Sequence, residues 1–226
     1  TGDLTVGGTG TITAANHAAT TATVTASAAY AVTGVMTLTG NTNGIATLNL
    51  AGNATGGNIV FAGTAAKTVV NVNGAGAQTI ANVITGGSSL GTLNINDATA
   101  DEAADLDTFT GAIGSGGSLL ALNVGTSTLA GNAQFQGAVT AATITLTGGS
   151  HADEDATAEF QDAITATAIV LDDSNTGQAI ATFNATNGAK TIAGTVNGNA
   201  GNKGSIVIID DDAGAAPDLL TFSGRI

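Results

Sequence analysis

Cysteine and tryptophan are absent from this 226-residue chain, proline and tyrosine occur once each, and only four basic residues face seventeen acidic ones for a formal net charge of −13. Each scarcity removes a class of function. Lys67, Lys190, Lys203 and Arg225 are too few to replace the counterions of DNA or RNA, so nucleic acid is excluded as a partner, and docking on anionic lipid is disfavoured for the same reason. No run of about 18 apolar residues offers a membrane-spanning helix, and no basic-then-apolar opening marks a signal peptide, so membrane insertion of this segment is not expected and Thr1 does not read as a translation start. A cysteine-free, Gly/Thr/Asn-rich acidic chain fits a bacterial protein exported to the cell surface.

Catalysis finds little support either. Paired carboxylates suit glycoside hydrolysis, but Tyr30 alone is available to stack on a sugar, and the cations needed for an acidic polysaccharide are missing. His17 and His151 stand in Gly/Ala/Thr-rich surroundings without a nucleophile elbow or a spaced metal motif, and read as surface residues. Gly114-Ser115-Gly116-Gly117 and Asn187-Gly188-Ala189-Lys190-Thr191 lack the phosphate-cradling pattern and read as turns. The expectation is a protein that is not an enzyme.

What the chain does contain is a repeat. Thr108-Phe109-Thr110-Gly111-Ala112-Ile113 returns as Gln134-Phe135-Gln136-Gly137-Ala138-Val139 and as Glu159-Phe160-Gln161-Asp162-Ala163-Ile164, with Phe183 following. The phenylalanines are 26, 25 and 23 residues apart. Phe61 lies 48 residues before Phe109, which reads as two repeats with Val83-Ile84-Thr85-Gly86 as the copy between them. Phe222 comes 39 residues after Phe183 and reads as a restart of the motif beyond an insertion around Asn197 to Asn202; the last unit is then expected to be cut mid-repeat.

A second signal follows each Phe segment: Leu48-Asn49-Leu50, Val70-Asn71-Val72, Leu93-Asn94-Ile95, Leu122-Asn123-Val124, Ile144-Thr145-Leu146, Ile169-Val170-Leu171 and Ile206-Val207-Ile208. Apolar residues at i and i+2, rich in β-branched types and punctuated by Gly, Asn and Asp, are short strands. Two or three of them per 23–26 residues make one coil of an all-β parallel β-solenoid, with β-sandwich domains as the alternative. In the solenoid Phe61, Phe109, Phe135, Phe160 and Phe183 would form an aromatic column beside an aliphatic one, and the asparagines could hydrogen-bond from coil to coil. Asn43-Gly44, Asn73-Gly74, Asn187-Gly188 and Asn197-Gly198 read as tight turns with positive φ. Residues 58–226 carry the repeat; residues 1–57 follow it less clearly and are expected to be irregular β coils or a separate small β region.

Acidic residues gather in the expected turns. Asp210, Asp211 and Asp212 are the first choice for calcium, with Asp172 and Asp173, and Asp153 and Asp155, as further candidates, because a hard cation wants six to eight oxygens and neighbouring turns could supply them together. Neither an EF-hand loop nor the G-G-x-G-x-D tandem is present, and solvated turns explain the same aspartates.

With its F-x-G-A-[IV] units followed by [LI]-[NT]-[LIV], the sequence resembles the repeat regions of bacterial surface β-strand-repeat proteins, autotransporter passengers and S-layer-like proteins, including the rickettsial outer-membrane-B type. The resemblance covers residues 58–226. It implies an extracellular role at the bacterial surface as a self-assembling layer or filament, with calcium often involved in S-layers, or as an adhesin passenger or stalk whose loops, such as Asn197 to Gly204 or His151 to Thr157, meet cell-surface glycans or a host receptor. It transfers no catalytic residue.

Overall fold

The computed structural model describes residues 2–16, 20–64, 66–87, 90–98, 104–173, 175–185, 189–198, 204–210 and 219–226. Its regular structure is all β, in coils that climb a parallel β-solenoid. Early coils have three walls: β1 (Leu4–Val6), β2 (Gly10–Thr13) and β3 (Thr20–Ala26); β4 (Tyr30–Val32), β5 (Met36–Gly40) and β6 (Gly44–Leu50); β7 (Ala54–Gly56), β8 (Ile59–Gly63) and β9 (Thr68–Val72); β10 (Thr79–Ile80), β11 (Ile84–Thr85) and β12 (Gly91–Ile95). Later coils have two: β13 (Leu106–Phe109) and β14 (Leu119–Val124); β15 (Gly131–Phe135) and β16 (Val139–Thr147); β17 (Ala156–Phe160) and β18 (Ile164–Asp172); β19 (Ala179–Asn184) and β20 (Lys190–Gly198); β21 (Gly204–Ile209) and β22 (Leu220–Phe222).

Equivalent strands of successive coils pair in register. The first sheet runs β1-β4-β7-β10-β13-β15-β17-β19-β21, the second β2-β5-β8-β11, and the third β3-β6-β9-β12-β14-β16-β18-β20-β22. The second sheet shrinks to an isolated bridge at Ile113 and then joins the third, because Val139 follows Ile113 in register and already belongs to β16. Where the merged strands bend, Gly194 (φ +126°) faces Ala166 so closely that a Cβ would lie 2.1 Å from its carbonyl oxygen, and the pairing of β18 with β20 shifts at this point. Every strand pair is parallel, which excludes the antiparallel sandwich.

Period-two patterning decides which side chains enter the core. In β6, Ala46, Leu48 and Leu50 are fully buried while Ile45, Thr47 and Asn49 point outward. Within the first sheet the inward column runs Leu4, Tyr30, Ala54, Ile80, Phe109, Phe135, Phe160 and Phe183, and Ile208, exposed on the last coil, follows in register. The four phenylalanines stack with centroid separations of 5.0, 5.2 and 5.8 Å and nearly parallel planes. Each buried ring contributes roughly 1.5–3 kcal/mol, and each aromatic pair about 0.5–1.5 kcal/mol more.

Four sequence expectations are corrected. Phe61 is not in the aromatic column; it lies in β8 of the second sheet, opposite Leu38, and Ile80 holds the place before Phe109. The ring of Phe61 fills the core from another wall, over Gly91, where a Cβ would sit 2.1 Å from Cδ2. Phe222 belongs to β22 of the third sheet, opposite Ile192, and meets Phe183 edge-on at 5.3 Å and 88°. The column continues instead into Ile208, so Ile206-Val207-Ile208 lies in the first sheet and Val196 is the true successor of Ile169; the 39-residue step compared two different walls. Among the described Asn-Gly pairs none has positive φ: Gly44 closes a turn with Asn41 but opens β6, and Asn197-Gly198 ends β20. Strands β1 to β6 pair in the same sheets as the strands that follow.

Candidate functional site

Polar side chains sit at two kinds of place, on outward columns and at the corners where one coil hands over to the next. The longest outward column is amide. Asn71 Nδ2 donates to Asn49 Oδ1, Asn94 Nδ2 to Asn71 Oδ1 and Asn123 Nδ2 to Asn94 Oδ1, each at 2.8 Å, and Asn49 Nδ2 reaches Thr25 Oγ1 at 3.1 Å. This is the coil-to-coil ladder that the repeated L-N-L pattern predicts. Its steps of 22, 23 and 29 residues bracket the expected coil length, the widest step containing residues 97–105.

A second polar group was not foreseen. On the outward side of the first sheet, Glu159 Oε2 accepts from Gln134 Nε2 at 2.9 Å, and its Oε1 accepts from Gln161 Nε2 at 2.9 Å and Asn184 Nδ2 at 2.8 Å. Partial burial raises the Glu159 carboxyl, but the three amide donors outweigh it and hold the group below its ordinary range. The signal was in the aligned repeat, where Gln134 and Glu159 both precede the phenylalanine and Gln161 follows it.

The corner aspartates act mainly as acceptors for backbone N–H groups of adjoining coils. Asp3 Oδ1 accepts from Ala29 N at 3.1 Å, Asp155 Oδ1 from Gln178 N at 2.7 Å and Asp173 Oδ2 from Gly204 N at 2.8 Å; Asn53 Oδ1 does the same for Thr79 N at 2.8 Å. Asp107 Oδ1 accepts from Gln78 N at 3.0 Å in the preceding coil. Burial pushes the Asp107 carboxyl up to about 7; the Gln78 hydrogen bond opposes this, and the Asp97 and Asp105 carboxylates add to the rise. Glu154 is wholly buried. Its Oε2 accepts from His151 N at 2.8 Å and Ser150 Oγ at 3.2 Å and lies 3.4 Å from Nδ1 of the exposed His151 ring, which ties the turn 149–154 to itself.

The predicted cation ligands are spread along the rod. Asp153 and Asp155 come together at a shallow cleft of about 170 Å³ lined also by Ala104, Asn132 and Thr157. Asp172 ends β18 half-buried, whereas Asp173, the next residue, is buried at the hydrogen bond to Gly204. Asp210 follows β21 and is exposed; Asp211 and Asp212 lie outside the described residues, as do His17, Asn187-Gly188 and most of the Asn197 to Gly204 loop. Among the described residues no group of three or more His, Asp or Glu side chains is arranged to hold a metal ion. No helix in them is long and apolar enough to cross a membrane.

The chain is similar to Outer membrane protein A of Rickettsia rickettsii, with 35% identity over 198 residues that cover 83% of this chain and 8% of that protein. This bears out the resemblance to rickettsial outer-membrane proteins carried by the Phe-centred repeat. No protein-family model matches the chain. No solved structure matches it either.

Proposed function

We propose that this chain, akin to a stretch of a rickettsial outer membrane protein, is a noncatalytic rod segment of a protein displayed on a bacterial surface. The observation that carries the reading is the continuous stack of two nine-stranded parallel sheets, in register but for one shift between β18 and β20, in which Glu159, Asp155 and Asp173 hold coil to coil. Such a stack is a spacer whose length grows with repeat number. Antibodies against the chain should decorate intact cells that carry it, and protease added outside should remove the epitope. Labelling only after the outer membrane is breached would overturn the reading.

Self-association is the second part of the proposal. It is favoured by the placement of charge: Lys190 and Asp172, at strand ends, are the charged residues within the nine strands of the third sheet. A calcium role is carried by Asp153 and Asp155 at their shared cleft and by the run at Asp210. Calorimetric titration of calcium should show saturable heat that Asp153→Asn or Asp210→Asn reduces; a flat titration would remove calcium from the proposal.

A further inference from the structure

We propose that the outward face of the third sheet is a self-docking surface, on which a second copy of this chain lays the same face. The inference rests on the self-association part of the function above and names the surface that performs it. At a net charge of −13, two copies repel over most of their area. The described acids lie at corners, at strand ends or on the first sheet, as Asp107 and Glu159 do. The broad third sheet is neutral apart from Lys190 and Asp172.

The face has a regular texture. Thr47, Val69, Thr92, Thr143 and Thr195, with Ala121 and Ala168 on the rungs between the last three, stand in one outward column, each half-buried by its own neighbours. The asparagine column beside it hydrogen-bonds along the stack, so much of its demand for water is already met. Short, mostly β-branched side chains on a pleated sheet interdigitate with a facing sheet at about 10 Å, and a partner with the same repeat of about 4.8 Å can match them rung for rung. A second copy has that repeat. Eight strands, β3 to β20, span that face, because β22 pairs with the Lys190–Ile192 end of β20; the face is roughly 34 by 18 Å, on the order of 600 Å² per copy, at the lower end of the roughly 600–1,000 Å² per partner of a standard interface. A glycan partner is less suited, because the chain has no tryptophan and its one tyrosine, Tyr30, is buried.

Sedimentation equilibrium tests this directly. The wild-type chain should associate, more strongly as salt screens the net charge. Thr92→Glu combined with Thr143→Glu should weaken association at least tenfold, while Thr55→Glu with Thr110→Glu, at exposed outward positions along the first sheet, should leave it unchanged. Circular dichroism establishes that each variant is folded. Because the chain lacks cysteine, Thr143→Cys provides an independent reading that a misfolded glutamate variant cannot spoil: mild oxidation should yield a covalent dimer faster than with Thr110→Cys. If the Thr92/Thr143 variant associates like wild type and both cysteine variants cross-link alike, the face is wrong while self-association stands. A wild-type chain that stays monomeric at every salt concentration would overturn the face and self-association together. Monomeric chain retained on an insoluble polysaccharide, and released by the same glutamates, would overturn the second copy in favour of a glycan.

Discussion

The two ends of this rod achieve the same stacking by different chemistry. From Leu4 to Asn96 the only formally charged residue is Lys67, the coils have three walls, and outward amides run from Asn49 to Asn94. From Asp97 onward lie all the acidic residues except Asp3, the second and third walls merge, and a phenylalanine stack fills the core beneath a plate of Gln134, Glu159, Gln161 and Asn184. The coil containing Phe109 and Asn123 belongs to both, as the first of the stacked rings and the last amide of the ladder. A parallel solenoid therefore needs some in-register column, but the column can be apolar and inside or polar and outside.

The largest effect should come from breaking the inner column. Phe135 is buried between Phe109 and Phe160, so Phe135→Ala removes two ring contacts and leaves a cavity that neighbouring rungs cannot both close. A loss of about 3–5 kcal/mol is expected in denaturant titration. Equal losses for Phe135→Ala and for Asn71→Ala, in the ladder, would erase the distinction between the two halves.

Charge sharpens the contrast next, through two carboxyls shifted in opposite directions. Asp107, with its carboxyl at about 7 against an ordinary 3.8, binds its proton more tightly folded than unfolded. Its contribution is fully present below the unfolded value and is lost as pH rises through about 7, on the order of 4 kcal/mol if no other group responds. Asp107→Asn keeps an oxygen for the Gln78 N–H and should flatten this decline between about pH 4 and 7 in urea melts. Glu159, held low by three amides, has the opposite sign: its contribution exists above the unfolded value and fades as pH falls through the depressed one. Glu159→Gln should weaken the carboxy-terminal half at neutral pH by about 1–2 kcal/mol and remove that acid sensitivity.

The ladder should respond more mildly. Asn71→Ala leaves Asn94 without its acceptor and Asn49 without its donor, but both are only half-buried and water can replace the missing partner. A cost of about 1 kcal/mol is expected, with hydrogen exchange accelerating in β6, β9 and β12 before β16 and β18.

Much of this division was legible in the sequence, for a physical reason. Parallel stacking turns an in-register column into a repeat, so Phe109, Phe135, Phe160 and Phe183 could be aligned on sight, as could the apolar pairs flanking the asparagines. Phe61 and Phe222 misled because a narrow core accepts an aromatic ring from any wall, and residue type alone does not say which wall supplied it. The corner aspartates were read as metal ligands because their use depends on which backbone N–H the next coil brings opposite, as Gln178 comes opposite Asp155. Glu159 escaped for a similar reason. Gln161 follows it two residues on, but Gln134 in β15 and Asn184 in β19 belong to the coils on either side and converge on it only once the coils are stacked.

The smallest effect should be a gain, and it concerns the amino-terminal part of the same inward column. Tyr30 occupies the register position later filled by phenylalanine, opposite Leu4 and Ala54, and is almost wholly buried. Its hydroxyl has no hydrogen-bond partner, and burial raises the phenol above its ordinary range. The small Ala54 above it accommodates a ring there, as the Phe109 to Phe183 rungs accommodate one another. Tyr30→Phe keeps the ring and removes the unsatisfied oxygen, so it should stabilise the chain by about 1 kcal/mol. A higher Tm, with little change in the steepness of the urea transition, would show that the position wants an aromatic ring in the amino-terminal half as well. A lower Tm would mean that the hydroxyl meets an ordered water, and the two halves would then differ in core polarity as well as in surface charge.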